Sequence, residues 1–254
     1  MAEFRLTDYT LPKSLKHFLS NQVSEFKQLF SVLRYGKEVG FRNVNSMLNA
    51  IIAKHGFDKS VIAGLPVDNI GSPLPWYTYP SIEFLKQFDF SDRLVFEYSC
   101  GNGSRFWSNR VKSVVSVEND KRWFDKMSVG KYANHKLLFR EKQSDYVNAI
   151  NESNDVYDII IIDGVFRYKC AQSSLPRLNA AGFIILDNSD WFPKTSALLR
   201  KSGLLEVDFT GLGPINYYAW TTSIYFQRTA DLKPLDNIQP QHGVASLIQT
   251  ANPE

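Results

Sequence analysis

Leu94-Val95-Phe96-Glu97-Tyr98-Ser99-Cys100-Gly101-Asn102-Gly103-Ser104, followed by Arg105 to Arg110 and by Ser113-Val114-Val115-Ser116-Val117-Glu118, is the stretch that decides the fold. It reads as strand, tight turn, short helix and second strand. Leu94 to Tyr98 is β-prone, and the small residues from Ser99 to Ser104 form a turn that brings backbone N–H groups close to a ligand. The second strand is apolar until its last residue, the acid Glu118. In a doubly wound sheet, ligands sit outside the carboxyl ends of the strands, and a carboxylate roughly 20 residues beyond a glycine turn is placed to accept the hydroxyls of a ribose.

Working outward, the same strand-and-helix alternation recurs. Asn119 and Asp120 are expected to open a helix to about Val129, Lys136 to Arg140 reads as a third strand, and Tyr146 to Asn151 as a helix with Ser144 or Asp145 as its cap. Tyr157-Asp158-Ile159-Ile160-Ile161-Ile162-Asp163-Gly164 is the clearest buried strand, an apolar run of the kind a strand covered on both faces requires. A helix from about Lys169 to Asn179 leads to a fifth strand, Ala181 to Leu186, which delivers Asp187-Asn188-Ser189-Asp190. After a helix over Lys194 to Lys201, ended by Gly203, come strands at Leu204 to Phe209 and Tyr218 to Gln227, the latter expected to pair antiparallel at the sheet edge. The pattern predicts an α/β fold: a doubly wound, mostly parallel, seven-stranded Rossmann-like sheet with helices on both faces and an antiparallel last strand. Right-handed crossovers put all the acidic strand ends on one rim.

Upstream, residues 1 to about 70 carry apolar side chains at helical spacing: Leu15, Phe18 and Leu19, then Val23, Phe26, Phe30 and Leu33, then Val44, Leu48, Ile51 and Ile52. The expected organisation is a helical extension or lid over 1–75, a core over 76–228 and a polar tail over 229–254. Gly64 to Pro75 reads as a linker, and Ser81 as the N-cap of a helix to Phe88. The aromatic cluster Trp76-Tyr77-Thr78-Tyr79 either walls a ligand pocket, with Tyr77 and Tyr79 in contact, or fastens the N-terminal helices to the core.

Lys plus Arg number 29 against 26 Asp plus Glu, and the basic residues are scattered, so nothing marks a surface that tracks phosphates. Two cysteines, Cys100 and Cys170, make no disulfide framework and show no metal-ligand spacing. The start of the chain has no signal-peptide build and no apolar run is long enough to cross a bilayer, so the expectation is a cytoplasmic protein without membrane contact. Homo-oligomerisation is left open.

Glu97 at a strand end, small residues at Ser99, Gly101, Gly103 and Ser104, and Glu118 closing the next strand resemble the first two motifs of class I S-adenosylmethionine (SAM) methyltransferases. Ser99 stands where that family usually has glycine, and Phe106 stands where a dinucleotide fold needs its third glycine, which argues against NAD or FAD. The resemblance spans about residues 76 to 228. It implies SAM as cofactor, with Glu97, Ser99, Gly101, Asn102 and Gly103 holding the methionine portion, Glu118 and Asn119 the ribose, and Asp145 the adenine edge unless it serves only as a helix cap. Asp163 is implied closest to the reacting centre, as catalytic and cofactor-binding residue.

The methyl acceptor is less directly written. Adenine and cytosine amino-methylases carry an Asn or Asp, two prolines and an aromatic after the fourth strand, whereas this chain has Asp163-Gly164-Val165-Phe166. Asp163 with Asp187 and Asn188 resembles instead the acidic set of catechol-type and macrocin-type O-methyltransferases, which implies Mg²⁺ against acceptor hydroxyls; a hard cation of this kind lowers the pKa of a bound hydroxyl. Phe166 replaces the lysine those catechol enzymes carry. The alternative is that Asp163 contacts the SAM amino group and Asp187-Asn188 caps a turn. His135 and His242 are further base candidates by residue type. The expected function is methyl transfer to a small-molecule hydroxyl; an aminopropyltransferase and a catalytically silent binding module are the alternatives.

Overall fold

The computed structural model describes residues 30–130, 132–236 and 239–247. Leu15, Phe18, Leu19, Val23 and Phe26, expected to lie on helices, fall outside them. Residues to Ala50 cluster as one compact unit and residues from Ile51 onward as another. In the first, residues 30–39 (α1) and Phe41–Asn49 (α2) are helical, and Phe30, Leu33, Phe41 and Met47 are exposed.

The second unit opens with α3 (Phe57–Ala63) and α4 (Tyr79–Lys86). There follow β1 (Phe90–Tyr98), α5 (Asn102–Ser108), β2 (Val111–Glu118), α6 (Lys121–Met127), β3 (His135–Phe139), α7 (Gln143–Asn148) and β4 (Tyr157–Ile162). α8 (Arg167–Ser174), β5 (Leu178–Leu186), α9 (Pro193–Lys201), β6 (Leu205–Gly211) and β7 (Trp220–Phe226) complete it. The seven strands form one sheet in the order β3-β2-β1-β4-β5-β7-β6. The pairs from β3 to β5 are parallel, and β7 runs antiparallel to both β5 and β6.

Two-residue periodicity builds the core on both faces. Val95, Ile159, Ile161 and Ile185 face α4 and α5 through Ile82, Leu85, Phe106 and Trp107. Phe96, Ile160, Ile162 and Ile184 face the other layer, packing with Tyr146, Cys170, Ala171 and Leu199. Each fully buried isoleucine in this array contributes about 1.5–3 kcal/mol. The unbroken apolar run of β4 is thus required, because neither face meets water.

Several local expectations are corrected. β7 is not at the edge but lies between β5 and β6, and β6, with Leu205 and Val207 exposed, is the edge strand. The α4 N-cap is Thr78 rather than Ser81; Pro80 sits in the first turn, where its missing N–H costs nothing, and the Ser81 hydroxyl donates back to the Thr78 carbonyl at 2.8 Å. Lys142, not Ser144 or Asp145, precedes α7. Gly64 to Pro75 is a folded loop, with Asp68 Oδ1 accepting from the N–H groups of Ile70 and Ser72. The stretch from residue 229 packs back on the start of the sheet unit: Lys233 and Gln87 carbonyls accept from Asp89 and Leu235, and Glu83 accepts from the Val244 N–H at 2.8 Å.

Candidate active site

The carboxyl end of β1 delivers Glu97, which is buried with no cation beside it. Its Oε2 accepts from the hydroxyls of Ser104 and Ser116, and Ser116 continues to His135 Nε2 at 3.0 Å. Burial pushes the Glu97 carboxyl up to about 8; the two serine bonds oppose this only in part, and the charges of Asp163 and Glu118 add to it. Glu97 is therefore a neutral acid near pH 7. The chain then turns at Ser99, whose φ of 103° lies in the left-handed region that glycine occupies without strain. Serine keeps this turn at a conformational cost.

At the end of β2, Glu118 is also buried. Its Oε1 accepts from the N–H groups of Asn119 and Asp120 at 2.7 and 2.8 Å, and its Oε2 from that of Cys100 at 3.3 Å. The carboxylate thereby ties the glycine turn to the second strand. Trp123 closes over the turn by donating its indole N–H to the Cys100 carbonyl at 2.6 Å, and the Asn102 amide reaches the Pro66 carbonyl at 2.7 Å.

Between these groups lies a cavity of about 250 Å³, walled by Pro66, Trp76, Tyr77, Glu97, the turn from Ser99 to Gly103, Trp123 and Asp163. The Tyr77 hydroxyl is buried and, among the described residues, makes no hydrogen bond of ordinary length, the Trp107 indole being its polar neighbour. Burial, reinforced by the charges of Glu97 and Asp163, raises its pKa well above that of a free tyrosine. A Cβ on Gly103 would stand 3.1 Å from Glu97 Oε1 and 3.6 Å from Pro75, so this glycine keeps the cavity floor open.

The ends of β4 and β5 are organised around a cation instead. Arg167, in the first turn of α8, is buried, and its guanidinium donates to the carbonyls of Gly164 at 2.9 Å, Asp163 at 2.8 Å and Asp187. It also reaches Asp163 Oδ1 at 3.2 Å and Asn188 Oδ1 at 3.1 Å, with the Phe192 ring 4.4 Å from its carbon. Asp187 Oδ1 is taken by Trp220 Nε1 and Thr222 Oγ1. Burial raises Asp163 to about 6 against the pull of Arg167, and burial and the Asp163 charge push Asp187 up as well.

The expected magnesium ligands Asp163, Asp187 and Asn188 find no support in this arrangement. Among the described residues no three His, Cys, Asp or Glu side chains gather as a metal set. The guanidinium of Arg167 fills the space between Asp163 and Asn188 that a cation would need, and the Asp187 carboxyl is directed to Trp220 and Thr222. These residues do not fit Mg²⁺.

Of the other expected site residues, Glu97, Ser99, Gly101, Asn102, Gly103, Asp163 and Tyr77 meet at the cavity. Glu118 and Asn119 stand behind the turn. Asp145 is exposed on α7 with Ser144 as its partner, and Tyr79 stacks on His55 with ring centroids 4.2 Å apart, away from the cavity. His135 is on β3, bonded to Ser116, and His242 is exposed. Sequence reading missed Arg167, whose position four residues after Asp163 at a helix start was the available signal, and Pro66 and Trp123, which carried none.

The sheet order with β7 reversed, the glycine turn after β1 and the acid closing β2 stand together as the resemblance to the SAM enzymes implies. The fold is the doubly wound, mostly parallel, Rossmann-like sheet with a reversed strand that the sequence predicts. No family model matches the sequence, and no curated protein matches it. Among solved structures, the chain is similar to a Streptococcus mutans protein assigned as a methyltransferase and solved with S-adenosylhomocysteine, at 15% identity over 57% of this chain and 94% of that one, TM-score 0.43. It is similar to precorrin-6y C5,15-methyltransferase of Geobacter metallireducens at 13% identity, over 58% and 87% of the two chains, TM-score 0.47. A third is an rRNA methylase of Streptococcus thermophilus, at 14% identity over 59% and 97%, TM-score 0.43.

Proposed function

We propose that the protein is a SAM-dependent methyltransferase acting on a hydroxyl oxygen of a small molecule. The observation that carries the reading is the convergence of the glycine turn, Glu97, Asp163 and the buried Tyr77 on one cavity. SAM supplies a sulfonium-activated methyl group when bound. Ser99, Gly101, Asn102 and Gly103 would hold its methionine end, and Glu118 with Asn119 would meet the ribose. The cavity is smaller than the ~300–1,000 Å³ that drug-sized ligands occupy. Binding of the whole cofactor therefore parts the contact between Asn102 and Pro66.

Asp163 is the proton acceptor in this reading. Its pKa of about 6 leaves it ionised at neutral pH yet basic enough to take a proton as an acceptor hydroxyl attacks. Arg167 fixes its Oδ1 and turns the carboxylate toward the cavity. No metal enters the scheme.

Calorimetric titration with S-adenosylhomocysteine tests the cofactor, and micromolar binding unaffected by EDTA or Mg²⁺ is expected. Transfer of label from the methyl group of SAM separates methyl from aminopropyl transfer. Once an acceptor is in hand, Asp163→Asn should lower kcat by about 10²–10⁴-fold with cofactor affinity retained. Absence of S-adenosylhomocysteine binding in every buffer would refute the reading and favour a silent binding module.

A further inference from the structure

A second cavity of the sheet unit lies beside the one read above as the cofactor's. It measures about 540 Å³ and is entered between the start of α8 and the start of α9, with Phe166, Tyr168, Trp191 and Phe192 among its walls. Arg167 lines it while its partner Asp163 lines the smaller cavity, so the ion pair is the wall the two cavities share.

Three of these aromatic side chains remain substantially exposed: Phe166 at 38%, Tyr168 at 44% and Trp191 at 54%. A concentration of bare rings in one concave place marks a binding surface rather than packing. Phe166 is moreover held at φ 56°, a left-handed conformation that a bulky residue rarely adopts and that here sets its ring at the cavity wall. Charge in the lining is of one sign. Arg167, Lys169 and Lys194 contribute cations, and no acidic side chain lines the cavity. Arg167 is committed to Asp163, Asn188 and the strand-end carbonyls, and the Lys169 ammonium rests on the Gln143 amide oxygen at 2.9 Å. Lys194 has no hydrogen bond or ion pair with any described residue.

Resting on the methyltransferase reading, we infer that this cavity is the acceptor pocket and that it takes a hydroxylated aromatic acid, with its ring against Tyr168 and Trp191 and its anionic group on Lys194. Flat rings stack on the walls, and the Lys194 ammonium supplies a charge with no hydrogen bond to any described residue. Its size matches a small molecule, and the scattered basic residues of the chain form no track for a phosphate backbone. Asp163 lines the cofactor cavity and not this one, so the acceptor hydroxyl reaches its Oδ2, the oxygen that Arg167 leaves, past the guanidinium at the shared wall. In the transfer the phenolic oxygen bonds the methyl carbon as the sulfonium carbon–sulfur bond breaks, and the phenolic proton passes to Asp163.

Isothermal titration of the full chain with 1-hydroxy-2-naphthoate and with uncharged 1-naphthol tests the proposal. The naphthoate is expected to bind about tenfold more tightly, Lys194→Met to erase that margin, and Trp191→Ala to weaken both probes by about tenfold. Titration with S-adenosylhomocysteine should be unchanged in both variants. Equal affinity for the two probes, or an unaltered naphthoate affinity in Lys194→Met, would overturn the proposal. Tighter binding of a single-stranded RNA decamer, lost in Lys194→Met, would overturn it in favour of a nucleic-acid acceptor. Cofactor binding without naphthoate binding removes the pocket alone. Naphthoate binding without cofactor binding removes the methyltransferase reading and leaves an aromatic-acid site.

Discussion

The two halves of the rim hold buried acids by opposite means. At β1 and β2, Glu97 and Glu118 are satisfied by serine hydroxyls and backbone N–H groups, with no cation in contact. At β4 and β5, Asp163 and Asn188 surround the guanidinium of Arg167. The first half therefore holds one carboxyl kept neutral by burial and another held by backbone N–H groups, without a cation in contact among the described residues. The second half already contains its cation, whose guanidinium stands between Asp163 and Asn188. The contrast is a division of labour written in counter-charges.

The strongest way to break this contrast is Arg167→Met, which strips the second half of its cation and leaves Asp163 and several carbonyls unpaired. Chemical denaturation should show a loss of about 3–5 kcal/mol. A loss below about 1 kcal/mol would mean the guanidinium is not what holds the two strand ends together.

A pH series sharpens the other side. The folded pKa of Glu97, about 8, lies above the ordinary 4.5, so the folded protein keeps a proton that the unfolded chain has released. Stability from this group is full below pH 4.5, falls as the pH rises toward 8 and is level beyond. Between about pH 5 and about pH 7.5 the loss is about 3 kcal/mol, and Glu97→Gln should flatten that slope. An identical slope in the variant would show that Glu97 is ionised in the folded state.

Asn102→Ala removes a buried bond to Pro66 and should cost about 1–2 kcal/mol, with faster S-adenosylhomocysteine association in stopped-flow traces because the loop no longer clasps the turn. Slower association would place the clasp on the productive side of binding. The smallest effect belongs to Ser99→Gly, which should stabilise the protein by about 1 kcal/mol in thermal or chemical unfolding by relieving the φ of 103°. A destabilised variant would show that the serine side chain does more for the turn than its backbone costs.

Much of this was legible because the relevant physics is local. The period-two and continuous apolar runs of Val114 to Val117 and Ile159 to Ile162 specify strands covered on both sides, and small residues after β1 specify a close turn. Strand order is less local. β6 alternates Leu205, Glu206, Val207 and Asp208 yet exposes the two apolar residues, so its pattern does not tell which face is wet; Ser223 to Phe226 is buried throughout, the mark of a strand inside the sheet. The acids at the rim were visible, but which of them meet a cation depends on where a single arginine folds back. Arg167 stands four residues after Asp163 at a helix start, but that spacing alone does not announce that five oxygen atoms converge on it.

Gly164 carries a consequence for how this rim can change. A side chain there would drive its Cβ to within 2.0 Å of the Tyr146 oxygen and 3.2 Å of the Tyr98 carbonyl, so the hinge between β4 and α8 tolerates only a hydrogen. The backbone just beyond is held in turn by Arg167. Variation is thus shut out of the frame and channelled to Phe166, Tyr168 and Trp191, whose side chains project from a fixed scaffold. For an engineer, these three positions form a library in which the Arg167–Asp163 wall stays put while the lining of the neighbouring cavity is exchanged.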